Sequence, residues 1–263
     1  MRQLFVTASA VWSAAMLLLM ATESGAQTPP EARTSGYATM SPVTRALQDD
    51  DSQNPAMLWV KDGEVAWQRA EGSANKSCAS CHGDAKKTMR GVAARFPAYS
   101  ATLGRVINLQ QQVNVCRASQ QKAQALPLEH QTLIALESFV ALQSRGMPVN
   151  PPSDPKLTEV QQKGEVLFHQ RVGQLDLSCH DCHTQQAGRS LAGNLIPQAH
   201  PTGYPIYRLE WQGVGGLQRR LRNCMVGVRA EPYAFGGIEM VALEAFLARR
   251  AEGLKWEAPA VRP

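Results

Sequence analysis

Two five-residue segments of this 263-residue chain have the residue types and spacing to hold an iron porphyrin: Cys78-Ala79-Ser80-Cys81-His82 and Cys179-His180-Asp181-Cys182-His183. In a CxxCH segment the two thiols can reach the two vinyl groups of a haem, and the following imidazole ligates the iron. A zinc site or a CxxC redox couple is the alternative, but zinc needs further paired ligands and none stands at zinc-like spacing. The expectation is two covalently bound haem c groups, attached through Cys78 and Cys81 and through Cys179 and Cys182. His82 and His183 are then the proximal iron ligands.

The sixth iron position decides the chemistry. Cys116 lies 34 residues after His82, and Cys224 lies 41 residues after His183. Free thiols persist in an oxidising compartment chiefly where they have a use. Cys116 and Cys224 are therefore the expected distal ligands, against a disulfide between them or ligation by Met89, Met147, Met225 or Met240. The methionines read as packing residues. His130, His169, His180 and His200 have no partner by spacing and read as structural.

The chain repeats itself. Gly63-Glu64-Val65 and Gly164-Glu165-Val166 match at an offset of 101, as do the two CxxCH segments. Beyond them the offset is 108: Phe96-Pro97-Ala98-Tyr99 matches Tyr204-Pro205-Ile206-Tyr207, and Leu109-Gln110 through Cys116 matches Leu217-Gln218 through Cys224. Residues 135–141 match 242–248 at an offset of 107. The copies differ in charge, because Arg219, Arg220 and Arg222 stand where the first copy has Gln111, Gln112 and Asn114, and Arg229 is aligned with Gln121. Only the second copy looks built for an anion, since guanidinium groups bind oxyanions and keep a nearby thiol ionised. On a helix Arg220 shares a face with Cys224, four residues on. Arg220 is the first candidate for substrate binding and Arg229 the second.

The elements that must position these groups are helices. Apolar periodicity predicts helices over 55–70 and 155–172 ahead of the CxxCH segments, and over 132–144 and 238–251 at the end of each copy. The fold class is mainly α: two tandem class I cytochrome c-like domains related by internal duplication, over 55–147 and 155–263. A proline-rich linker covers 148–154. Residues 27–54 read as an N-terminal arm, and residues 1–26, with a basic start, an apolar stretch and small residues before Gln27, as a secretory signal cleaved near Ala26. The mature protein is then exported to the periplasm with no membrane span. Neither 44% hydrophobic content nor a net charge of +5 suggests a disordered or disulfide-dense chain, and the basic excess has no lysine-rich run of the kind that binds nucleic acid.

With both CxxCH segments, Cys116, and the stretch from Arg220 through Cys224 to Val226-Gly227-Val228-Arg229-Ala230-Glu231, the sequence resembles the SoxA family, the dihaem subunit of the SoxAX cytochrome of bacterial thiosulfate oxidation. The resemblance covers most of the mature chain. It implies that Cys116 and Cys224 are distal haem ligands, that Cys224 is the reactive sulfur, found in the family as a persulfide, and that Arg220 binds substrate. It implies a heterodimer with a monohaem SoxX subunit, a SoxYZ sulfur carrier, a small cytochrome c acceptor, and L-cysteine S-thiosulfotransferase activity on thiosulfate. A non-catalytic dihaem electron carrier and a dihaem peroxidase are the competing functions. The carrier leaves the arginine asymmetry unexplained, and the peroxidase needs an open or displaceable iron position.

Overall fold

The computed structural model describes residues 32–263, so the expected signal segment lies outside the described residues. The elements repeat as the sequence does. In the first copy α2 (Met57–Gln68) crosses α6 (Gln131–Leu142), and in the second α7 (Pro155–His169) crosses α9 (Ile238–Arg250). Between each pair lie the CxxCH turn, a short hairpin and a cysteine-bearing helix. These are α3 (Cys78–His82), α4 (Ala85–Thr88), β1 (Ala98–Ser100), β2 (Arg105–Ile107) and α5 (Leu109–Cys116) in the first copy. In the second they are β5 (Ile206–Arg208), β6 (Gly213–Gly215) and α8 (Leu217–Gly227), preceded by an extra hairpin, β3 (Ser190–Leu191) and β4 (Asn194–Leu195).

Each helix crossing is closed on a glycine. A β-carbon on Gly63 would lie 2.0 Å from the Ala135 carbonyl oxygen, and one on Gly164 1.9 Å from that of Ala242. Phe139 and Phe246 flank the same crossings at 2.7 Å, which explains why Gly-Glu-Val recurs at the same place in both copies. Trp67 and Phe139 build the first core, Phe168 and Phe246 the second.

The copies interlock through their hairpins. Val106 on β2 packs with Leu157, Val241 and Ala245 of the second copy's helix pair, while Tyr207 and Val214 on β5 and β6 pack with Ala56 and Ile134 of the first. Where they meet, Gln110 Nε2 donates to Glu137 at 2.8 Å and Gln218 Nε2 to Glu244 at 2.9 Å, the same bond in each copy. Asn108 Nδ2 crosses to Glu244 at 3.1 Å, and the Gly216 N–H to Glu129 at 3.0 Å.

The stretches expected as connectors are built into the body. Val149 is 1% exposed, and its N–H donates to the Leu254 carbonyl. The end of the chain turns back, placing Trp256 and Ala258 in the first core and β7 (Ala260–Arg262) parallel to β5. The N-terminal arm carries α1 (Pro42–Asp49), capped by Ser41 and bonded through Gln48 Oε1 to the Val261 N–H. Its buried residues are Thr44 and Gln48, so no apolar stripe revealed it.

Gly63→Ala or Gly164→Ala is expected to cost about 2 kcal/mol or more, as an overpacked crossing does, measured by urea unfolding of the holoprotein; a loss near zero would show that the crossing is not tight. Burial pushes Glu137 up to about 8 and Glu244 up to about 7, so their stabilising contribution is present below their ordinary value of 4.5 and is lost as pH rises through 7 and 8. Glu137→Gln and Glu244→Gln are expected to raise the urea midpoint at pH 8 and to leave it nearly unchanged at pH 4.5. Equal midpoints of variant and parent at pH 8 would contradict this.

Candidate functional site

Each CxxCH segment is a helical turn started by a serine. Ser77 Oγ accepts from the Ser80 N–H at 3.0 Å, and Ser178 Oγ from the Asp181 N–H at 3.1 Å, Asp181 returning the bond to the Ser178 N–H at 3.0 Å. Cys78 is near enough to Cys116 on the facing helix for their charges to interact, as Cys179 and Cys182 are to Cys224. Burial raises the Cys78 thiol, and the neighbouring Cys116 adds to the shift; burial pushes Cys179 up to about 12, with Cys224 and then Cys182 adding. Cys116 thus belongs to the first site and Cys224 to the second. All six cysteines are unpaired among the described residues, so no disulfide joins the copies.

The histidines are set for ligation or for packing. His183 Nδ1 bonds the Pro197 carbonyl at 2.7 Å, which leaves Nε2 as the free donor for a metal. Burial lowers its basicity, with Arg220 and Arg250 acting in the same sense, so the ring is neutral. His82 stands beside Trp67, ring centroids 5.7 Å apart. His180 stacks on His169 at 4.6 Å, His130 caps α6, and His200 Nδ1 bonds the Thr34 carbonyl at 2.7 Å. Met240 is fully buried on α9 and Met225 is 9% exposed on α8, both in packing. The donor types of each site, two thiols and an imidazole on one turn with a third thiol on the facing helix, are those that would hold a covalent haem.

The four arginines of the second copy divide by what they touch. Arg219 lies over the Trp211 ring at 4.4 Å. Arg222 donates to the Pro232 and Tyr233 carbonyls and lies over Phe235 at 4.7 Å. It ties down the segment after α8 as Asn114 does in the first copy, where Nδ2 donates to Leu126 O at 2.8 Å. Arg220 alone of the three on α8 has no hydrogen bond, ion pair or ring contact among the described residues. Its charge acts on His183 and on Tyr204, which also feels Cys224. In the first copy the equivalent residue, Gln112, reaches the Cys116 sulfur at 3.5 Å.

Arg229 requires a correction. The Gly72 turn packs on Gln121 O and Ala123 N, whereas the Gly173 turn packs on Val228 O and Ala230 N. The partner of Arg229 is therefore Lys122, both with φ near +55° (57° and 54°), and not Gln121. One extra residue after Cys116 is absorbed as the π-turn Arg117–Gln121. Arg229 therefore drops out of the charge asymmetry, which leaves Arg219, Arg220 and Arg222 against the amides Gln111, Gln112 and Asn114, with Arg117 of the first copy standing opposite Met225. Arg229 is exposed in an open cleft with Glu231 and Tyr233, and is not among the groups acting on His183 or Tyr204. Tyr204, which sequence reasoning passed over, is pushed up to about 12 by burial; the signal was its alignment with Phe96, a difference of one hydroxyl.

Comparison with known proteins agrees with this layout. The family model described as SoxA/TsdA, cytochrome c domain, matches residues 62–149 and 163–256. The chain is 36% identical to the L-cysteine S-thiosulfotransferase subunit SoxA of Rhodovulum sulfidophilum, over 87% of this chain and 79% of that protein. To the protein of the same name from Pseudaminobacter salicylatoxidans it is 38% identical, over 87% and 80%. The crystal structure of SoxXA from P. pantotrophus matches with a TM-score of 0.84 and 32% identity, covering 88% of this chain and 87% of that one. The chain belongs to the SoxA/TsdA cytochrome c domain family and is a cytochrome of covalently bound haem c.

Proposed function

We propose that the chain is the haem-bearing subunit of a periplasmic L-cysteine S-thiosulfotransferase, with one haem c in each copy, Cys224 as the reacting sulfur and Arg220 as the group that binds thiosulfate. The observation that carries this reading is the uncommitted guanidinium of Arg220, one turn before Cys224 and near enough for its charge to act on His183, where the first copy has an amide. The names of the SoxA relatives support the activity. His82 with Cys116, and His183 with Cys224, would hold the iron, and Cys78, Cys81, Cys179 and Cys182 would be the attachment points. When bound, haem supplies a one-electron acceptor beside the reacting sulfur.

The reaction joins the outer sulfur of thiosulfate to a protein thiol, so a sulfur–sulfur bond forms, the thiol proton leaves and two electrons are released. Arg220 presents its donor fork to the sulfonate oxygens and offsets their charge as they approach a thiolate. The Cys224 sulfur couples with the outer sulfur of thiosulfate. The thiolate of a carrier cysteine then attacks that same sulfur, takes the thiosulfonate group and releases Cys224 as thiolate. Tyr204, protonated at neutral pH, can donate a hydrogen bond at the site, and exposed Arg229 is placed to draw anions toward it. The released electrons pass to a small cytochrome c.

The partners in this reading are a SoxX-like monohaem subunit, as in the P. pantotrophus SoxXA structure, and a SoxYZ-like carrier. Among the described residues no helix is long and apolar enough to cross a membrane. Arg220→Gln is expected to lower kcat/KM for thiosulfate by about a hundredfold, the scale for removing one preorganised donor. The haem spectrum should be kept, and Arg219→Gln should retain turnover. Parent-like turnover in Arg220→Gln would favour a plain electron carrier.

A further inference from the structure

Three consecutive glutamines near the start of α5 are held by three different things. Gln110 Nε2 donates to Glu129 at 3.0 Å and to Glu137 at 2.8 Å. Gln111 Nε2 donates to the Gly236 carbonyl at 3.1 Å, and its Oε1 accepts from the Asn108 N–H at 3.1 Å. Gln112 serves neither of these frames. Its one side-chain hydrogen bond among the described residues runs from Nε2 to the Cys116 sulfur, at 3.5 Å. Both residues are half-buried and lie one helical turn apart, so the helix itself sets the contact.

The second copy lacks this bond. Arg220 stands in the place of Gln112, and the Cys224 sulfur accepts no hydrogen bond among the described residues. A hydrogen bond to a sulfur that ligates iron draws electron density from the sulfur, which then donates less to the metal. Ferric iron loses more by this than ferrous iron, because it carries the greater charge, so the reduction potential rises. In a half-buried site such a bond is less screened than in water. The nearest charges offset one another, since Arg117 and Glu71, which both act on Cys78, are paired at 2.5 Å.

We infer that Gln112 tunes the first site, its amide hydrogen bond to the Cys116 sulfur holding the first haem at a higher reduction potential than the bare thiolate would give. Gln112 acts through Cys116 and touches no reactant, which makes it a positioning residue. The inference rests on Cys116 as the sulfur ligand of the first haem, and its test reads that ligation separately from the potential, so the two can fail apart.

The experiment is a potentiometric titration of the haem-loaded holoprotein followed by EPR of the ferric haems, the first haem's signal being the one that Cys116→Ala changes. Gln112→Met is close to the parent in volume and uncharged but has no donor. It is expected to shift the first haem's redox equilibrium about tenfold toward the oxidised form, as losing one hydrogen bond to a charged group does. For a one-electron couple that is a fall of about 59 mV. The second haem's midpoint is expected to stay where it is. In the Cys116→Ala background, Gln112→Met is expected to move neither midpoint. An unmoved first midpoint in Gln112→Met, an equal fall at both haems, or the same fall without Cys116 would overturn the inference. If Cys116→Ala changes neither ferric signal, Cys116 is not the ligand, and the inference falls with that reading.

Discussion

The separation between each CxxCH turn and the cysteine that faces it is set by a backbone contact with no room for a side chain. A β-carbon on Gly72 would lie 2.1 Å from the Gln121 carbonyl oxygen, and one on Gly173 2.2 Å from that of Val228. Both glycines have positive φ, 68° and 73°, where other residues are strained. The Ala74 and Leu175 N–H groups bond the same two carbonyls, at 3.1 and 3.3 Å. The proximal turn is thus wedged on the end of the distal helix. The helix pair that crosses at Gly63 or Gly164 carries the start of that turn, so core packing and site geometry are one constraint.

Duplication of this unit left each copy unable to finish itself alone. Each hairpin covers the other copy's helix pair, and the chain's last residues return to the first core. The near-equal halves differ in small ways: α8 has arginines where the first copy has amides, Tyr204 stands where it has Phe96, and Met225 and Val172 stand where it has the Arg117–Glu71 ion pair. Two of the three arginines on α8 serve packing, one over Trp211 and one on the segment after the helix. Charge counted along a sequence therefore overstates charge at a site.

Much of the site was legible because its chemistry needs fixed spacing. CxxCH can be read without a fold, and the repeat placed Cys116 and Cys224 as equivalents. The crossing helices were legible from apolar periodicity, and their observed ends at Gln68 and His169 fall two and three residues short of the expected 70 and 172. The pairing of Arg229 with Gln121 failed because the fall in offset from 108 to 107 shows one extra residue between Cys116 and Ala135 without saying where, and the π-turn Arg117–Gln121 places it before Lys122. Helix α1 and the inward packing of the 148–154 linker were missed for another reason. Their buried contacts are made by polar side chains, a lone valine and backbone groups, which leave no periodic signal.

The central claim is that the chemistry of a duplicated haem unit is confined to Cys224 of its second copy. The most direct measurement is the mass of the Cys116 and Cys224 peptides from holoprotein exposed to thiosulfate, before and after a reductant that strips bound sulfur. A reductant-removable addition of about 112 Da, the mass of one thiosulfate unit joined through a sulfur–sulfur bond, present on the Cys224 peptide alone, is the expected result. The same added mass on Cys116, or none on either peptide, would contradict it.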